Sequence, residues 1–272
     1  MPLKVLSEQL SAISFNFIMC LLAWRWSPDQ LQSLTLISNR DEFYDRPTQN
    51  SEQWPGTFIW GGKDLRAGGT WLGVTGSGRL AAVTNHRSPD LTRDMEASRG
   101  SLVLQFLDSE ISSSAFVERL ADRCDAYNPF NLLVYDGDVL MGFEGRVDSC
   151  RVVTLKPGYG GVSNADFNTP WAKQVRLQTG FEQLIENNSS DEALLDLLLN
   201  EEVAPMHQLP QTGISIDKEI ALSAVFIRME NYGTRASSLV RMGHDAIVLT
   251  ERVFNHQAKT HQIRHVISKD WM

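Results

Sequence analysis

The sequence predicts an α+β fold in which antiparallel sheets are stacked and faced by helices. Three observations carry this. Strand-like apolar runs fill the first half of the chain, helical spacing interrupts them twice, and strand-like runs return in the last third. The alternation is too irregular for a doubly wound parallel sheet, and there is no strand–GxGxxG–helix unit and no Walker-type phosphate loop. With 272 residues, 42% of them hydrophobic, the chain can bury a large core in one or two domains.

In order, "CLLAWRW" (20–26) and "SLTLISNR" (33–40) are apolar runs joined by "SPDQ", a turn with Pro28 and Asp29. Residues 70–87 predict two strands meeting at Gly76-Ser77-Gly78, where glycines serve a turn. In 131–144, Asp136-Gly137 stands between alternating apolar residues and marks a hairpin. Helical spacing covers 98–125, with serines able to cap. Residues 169–188 predict a helix capped by Thr169 with Pro170 at its first position, and an acidic-headed helix follows at 190–202. A surface loop is expected over 203–219, and strands over 220–228, 233–242 and 245–254.

The formal net charge of −8 and the lack of a Lys/Arg-rich run exclude nucleic acid and acidic membrane surfaces as favoured partners. Cys20, Cys124 and Cys150 are odd in number and far apart, which excludes a structural zinc site and predicts free thiols in a reducing, cytoplasmic setting. The apolar stretch 12–24 contains Ser14 and Asn16, lacks a small-residue cleavage site and is too short and polar to span a bilayer. Residues 1–18 are expected to be an extension ahead of a single domain at 19–272. A propeptide, an upstream start-codon artefact and an ordinary extra segment are its three accounts.

Cys20 heads a strand-like run directly after Met19. A lone cysteine is most often a buried core residue. As the first residue of a trimmed chain it would carry a thiol beside a free α-amine, which titrates near ~7.7–8.0 and can serve as its base. If the first two runs pair as a hairpin, Arg40 comes beside Cys20, and a guanidinium there favours thiolate. Asp41 is then placed to hold the amine or a substrate donor. "GGKDLRAGGTW" (61–71) reads as a tight turn or as a close-approach loop over a pocket. Asn85 and Asn164 each end an apolar run, where a rigid amide can donate to an oxyanion. His86 neighbours Asn85, whereas His207, His256, His261 and His265 fall in loop or tail contexts. His261 and His265 would share one helical face, with no third ligand for a metal.

"MCLLAW", "SNRDEFYDRPT", "GGKDLRAGGTWLGV", "GRLAAVTNHR", "GVSNADFNTPW" and "YGTRASS" resemble the NRDE family, whose animal members are called transport and Golgi organisation protein 2. The likeness runs from Met19 to about residue 250, and the Asn39-Arg40-Asp41-Glu42 tetrad is the family's own signature. The resemblance implies an Ntn-hydrolase-like αββα sandwich, two antiparallel sheets between helix layers, related to choloylglycine hydrolase and penicillin V acylase. It implies Cys20 as nucleophile, Arg40 and Asp41 as its charged neighbours, Asn164 as the oxyanion asparagine and Arg235 as a later site arginine. Asn39, Asn85 and His86 are the expected substrate contacts.

Two functions follow from the resemblance. One is a hydrolase cleaving a small non-peptide amide and requiring no cofactor or metal. The other is a carrier of haem or an acyl-lipid or acyl-CoA ligand in the same pocket, matching the family's links to haem trafficking and lipid homeostasis. In the carrier, Cys20 or His86 would ligate haem.

Overall fold

A computed structural model describes residues 19–87, 97–167, 169–256 and 259–269. The expected extension 1–18 lies outside the described residues. The first sheet holds β1 (Met19–Trp26), β2 (Gln32–Phe43), β10 (Gly158–Val162), β11 (Tyr232–Gly243), β12 (Ala246–Phe254) and β13 (Lys259–Ser268), in the order β10-β1-β2-β11-β12-β13. The second runs in sequence order: β3 (Thr48–Gln53), β4 (Ile59–Asp64), β5 (Leu72–Thr75), β6 (Leu80–Asn85), β7 (Phe130–Tyr135), β8 (Leu140–Gly145) and β9 (Cys150–Thr154). All the registered strand pairs within both sheets are antiparallel.

The layers follow from side-chain alternation. In β1, Cys20, Leu22, Trp24 and Trp26 point between the sheets, where they meet Leu72, Val74, Leu80, Ala82 and Leu133 of the second sheet. Leu21 and Ala23 point the other way, onto α3 (Ala172–Glu186) and α4 (Asp191–Leu197), packing with Leu177, Phe181, Leu194 and Leu195. Burial on both faces explains why "CLLAW" is continuously apolar. On the far side, α1 (Gly100–Leu107) lies on β5 and β6, and α2 (Ser113–Ala121) on β8 and β9. Their Phe106, Phe116, Val117 and Leu120 join Val83, Leu132 and Phe143 in a second core. The αββα order expected from the resemblance is thus the order observed.

Several local expectations are corrected. The tetrad lies inside β2, which continues to Phe43 instead of ending at Arg40. Residues 220–228 are not a strand: α5 (Ile216–Ala221) runs into turns, and Arg228 makes only an isolated bridge to Gly233. Six residues are too few to show helical periodicity, and the apolar residues that follow read as a strand because they are buried. Helix α3 is capped at Trp171, not Thr169, so Pro170 precedes it. His261 and His265 sit on strand β13, not on a helix, and the His265 ring meets the Trp60 ring at 4.9 Å with the planes tilted by 53°. Cys124 and Cys150, expected as free thiols, form a disulfide with Cα atoms 6.4 Å apart, which leaves Cys20 as the free cysteine among the described residues. Among the described residues, no helix is long and apolar enough to cross a membrane and no group of three His, Cys, Asp or Glu is placed to hold a metal.

Candidate functional site at Cys20

The β1–β2 ladder sets the site. Cys20 pairs with Arg40, and Met19 with Asp41. Because side chains alternate along β2, the tetrad divides: Arg40 and Glu42 point between the sheets with Cys20, while Asn39 and Asp41 point toward the helix layer. Contacts agree with this division. The Arg40 guanidinium lies 4.3 Å from the Trp71 ring centre in the inter-sheet core, whereas Asn39 Nδ2 donates to the carbonyls of Leu198 (2.8 Å) and Val225 (2.9 Å) on the helix side.

A cavity of about 200 Å³ opens at Cys20. Its wall includes Arg40, Glu42, Arg46, Asp64, Asn85 and Arg99, with Trp71 and Val83 as its larger apolar members. The glycine-rich segment is a close-approach loop over this pocket. Gly68 has φ +74°, and a Cβ on Gly69 would stand 2.5 Å from the Gly100 backbone carbon, so two glycines let the β4–β5 loop touch the start of α1. Ala67, Gly69, Thr70 and Gly100 accordingly line the cavity.

Its charges are mutually arranged. Arg46 binds Asp64 through Nε (2.8 Å) and Nη2 (2.7 Å), and its Nε lies 3.4 Å from Glu42 Oε2. Arg40 Nη2 is 3.6 Å from the same oxygen, and its Nη1 donates to Thr48 Oγ1 at 3.2 Å. Burial raises the Glu42 carboxyl against the opposing pull of Arg40. At Asp64 burial would also raise the carboxyl, but hydrogen bonds from Arg46 and the Ala67 N–H hold it below its usual value.

With Met19 ahead of it on β1, Cys20 presents a buried thiol. Its thiol is 2% exposed, and burial, with Asp41 adding to it, pushes it up to about 12, against the lowering effects of Arg40 and of the Asp41 N–H donated to the sulfur. On the helix side, burial raises Asp41 to about 6, although Lys173 and the Thr234 hydroxyl favour its ionised form. Thr234 Oγ1 donates to Asp41 Oδ1 at 2.6 Å, and Asp41 Oδ2 is buried with no hydrogen-bond partner among the described residues. Lys173 is buried too, and burial and Arg87 lower it to about 8.

The remaining expected residues fall in three places. Asn85 lines the cavity, and its buried Nδ2 has no hydrogen-bond partner among the described residues. Asn164 stands behind it: Nδ2 donates to the Asn85 carbonyl (3.0 Å), and Oδ1 accepts from Lys173 Nζ (3.3 Å) and Ser163 Oγ (3.2 Å). His86 is not in the cavity wall; its Nε2 is 3.6 Å from Asp166, and burial with nearby Arg146 lowers it to about 4. Arg235 lies outside the wall as well, where its Nη1 donates to the carbonyls of Phe43 (2.8 Å), Tyr44 (3.0 Å) and Arg46 (3.3 Å) and so holds the turn that carries Arg46. Arg99 and Lys173 escaped the sequence reading. Each stands near a helix start, where a basic residue ordinarily faces water.

Fold and site together define a two-sheet αββα protein with a strand-borne thiol in a polar cavity between its sheets. Residues 19–256 match the family described as Transport and Golgi organisation 2, and the chain belongs to that family. A Transport and Golgi organization protein 2 homolog of Bos taurus is 33% identical over 261 residues, 86% of this chain and 92% of that protein. The Homo sapiens homolog is 33% identical over 262 residues with the same coverage. Among solved structures, a mutant conjugated bile acid hydrolase from Clostridium perfringens aligns with a TM-score of 0.45 and 10% identity, over 93% of this chain and 97% of that one.

Proposed function

We propose that the protein is a cysteine-dependent amidohydrolase for a small non-peptide amide, active once Cys20 carries the free α-amine of the chain. One observation carries the reading: Cys20 is registered against Arg40 and shares a cavity with it and with the unpartnered Asn85 amide. An internal Cys20, held at about 12, stays protonated at neutral pH and has no adjacent base. An α-amine near ~7.7–8.0 supplies that base and adds a positive charge beside the sulfur.

The thiol proton then passes to the α-amine and the sulfur attacks the amide carbonyl carbon. Asn85 Nδ2 donates to the oxyanion, with Asn164 fixing the Asn85 backbone from behind. The tetrahedral species collapses with loss of the C–N bond, and the leaving amine takes the proton. Water, deprotonated by the same α-amine, cleaves the thioester and restores the thiol. Arg40 favours thiolate, Asp41 steadies the amine across the ladder, and Arg235 positions the turn of Arg46. The haem-carrier reading has less support. The cavity of about 200 Å³ is smaller and more charged than drug-sized ligand sites, which run to ~300–1,000 Å³, and His86 is outside it.

Intact-mass spectrometry of protein purified from its own cells tests this. The expected mature chain begins at Cys20 and is alkylated there by iodoacetamide at neutral pH, and Cys20→Ala loses turnover without losing the fold. A chain that keeps Met19 in cells and leaves Cys20 unreactive overturns the proposal.

A further inference from the structure

We propose that the Cys20 cavity contains a subsite for a single carboxylate, centred on Arg99, so that the substrate is a small acidic amide. This names the substrate class of the amidohydrolase site and rests on that reading for its catalytic sense. Among the described residues, the wall holds three guanidinium groups, of Arg40, Arg46 and Arg99, and two carboxylates, of Glu42 and Asp64. Glu42 lies within 3.6 Å of Arg40 and 3.4 Å of Arg46, and Asp64 binds Arg46 at 2.7 Å. Arg99 has no carboxylate within ion-pair distance among the described residues; its hydrogen bond goes to the Pro129 carbonyl at 3.3 Å.

Burying a cation without a counterion is costly, and an arriving anion relieves the cost. Burial lowers Arg99 to about 10, which still leaves it charged at neutral pH. Its place is also fixed. It is the N-cap residue of α1, and the Gly69–Gly100 contact presses the start of that helix into the cavity wall. A second, independent observation marks the cavity for a polar ligand: Asn85, 7% exposed and in the same wall, keeps an amide nitrogen with no partner among the described residues. The two groups suit two parts of one molecule, a carboxylate on Arg99 and an amide carbonyl between Asn85 and Cys20. Among the described residues the wall carries one more guanidinium than carboxylates, with Glu42 the nearest acidic influence on Arg99, and that single excess charge favours a carboxylate over a phosphate dianion. The volume of about 200 Å³ restricts the ligand to a short molecule or the acidic head of a longer one.

The test measures binding in full-length Cys20→Ala protein, which separates recognition from chemistry. By calorimetric titration, N-acetylglycinate is expected to bind at least ~10-fold more tightly than neutral N-acetylglycinamide. That preference falls within ~2-fold in Arg99→Gln, and methyl phosphate binds no more tightly than N-acetylglycinate. If Arg99→Gln melts early, Arg99→Lys decides: a preserved preference for the carboxylate supports the subsite, and a folded Lys variant without it overturns it. Equal binding of the two acetylglycine probes, no binding of the carboxylate, a preference that survives Arg99→Gln, or tighter methyl phosphate each overturns the subsite. Hydrolysis of neutral amides by a Cys20-led chain without charge preference would remove this inference and leave the hydrolase. Arg99-dependent carboxylate binding in a chain that never exposes Cys20 would do the reverse.

Discussion

Asn39 and Arg40 are adjacent in sequence and lie in different surroundings. On the helix side every polar atom of the Asn39 amide that could order the chain is used. Its nitrogen bridges the carbonyls of Leu198 and Val225, and its oxygen accepts from Ser237 Oγ at 2.6 Å. One side chain thus ties β2 to β11, to the end of α4 and to the segment after α5. On the cavity side, Arg40 and Glu42 meet at 3.6 Å, and Glu42 Oε2 is buried without a hydrogen bond. A contiguous motif is therefore not one site. The pleat turns half of it into a structural clamp and leaves the other half incompletely paired in a cavity, where a ligand has something to satisfy.

The largest effect expected from this contrast is on stability. Asn39→Ala strips two buried carbonyls and a buried hydroxyl of their partner, and each orphaned group costs about 1–3 kcal/mol, so a loss of about 4 kcal/mol is expected in urea unfolding. A loss below about 1 kcal/mol would mean that the helix-facing half of the motif is no more of a clamp than the cavity-facing half.

A smaller effect is expected on the cavity side, at a residue outside the motif. In Gly69→Ala the new Cβ meets the Gly100 backbone at 2.5 Å, and backbone cannot swing aside as a flexible side-chain end can. Overpacking of this kind costs about 2 kcal/mol and would move the start of α1. The same variant is therefore expected to weaken the carboxylate preference assigned to Arg99 while leaving the Asn39 clamp intact. Unchanged unfolding together with unchanged probe binding would show that the two loops have room to spare.

The legible features were those encoded by neighbours in sequence. Pro28-Asp29 between two apolar runs announced the β1–β2 hairpin, and with it the register that brings Arg40 to Cys20. The layering followed from the resemblance and from the order of strand and helix signals. What escaped depends on distant packing. Arg99 and Lys173 look like ordinary helix-start cations until the sheets bring one to the cavity and bury the other behind Asn164. The assignment of Asn164 beside the thiol passed over one layer: its amide is spent on Asn85, and Asn85 is the one that reaches the cavity. Strand β13 reads "KTHQIRHVIS", a half-exposed edge strand with weak alternation, and the Cys124–Cys150 pairing has no local signature at a separation of 26.

The smallest effect concerns Asp41, which shares the helix-facing side with Asn39 yet is only half satisfied. Burial pushes its carboxyl up from the ordinary 3.8 to about 6, against the opposing pull of Lys173 and Thr234. Between those values the folded state holds more protons than the unfolded one, so stability contributed by the protonated group is lost as pH rises from about 4 to about 6. Glu42 and Glu251 are also raised by burial and slope the same way, so the informative quantity is the difference between the parent and Asp41→Asn. That substitution should remove about 1 kcal/mol of the fall between about pH 5 and about pH 7. Parallel pH profiles would mean that Asp41 ionises at its ordinary value, with Lys173 compensating its burial fully. Asp41 would then belong with Asn39 as part of a completed clamp, and the strain on the motif would be confined to the cavity side.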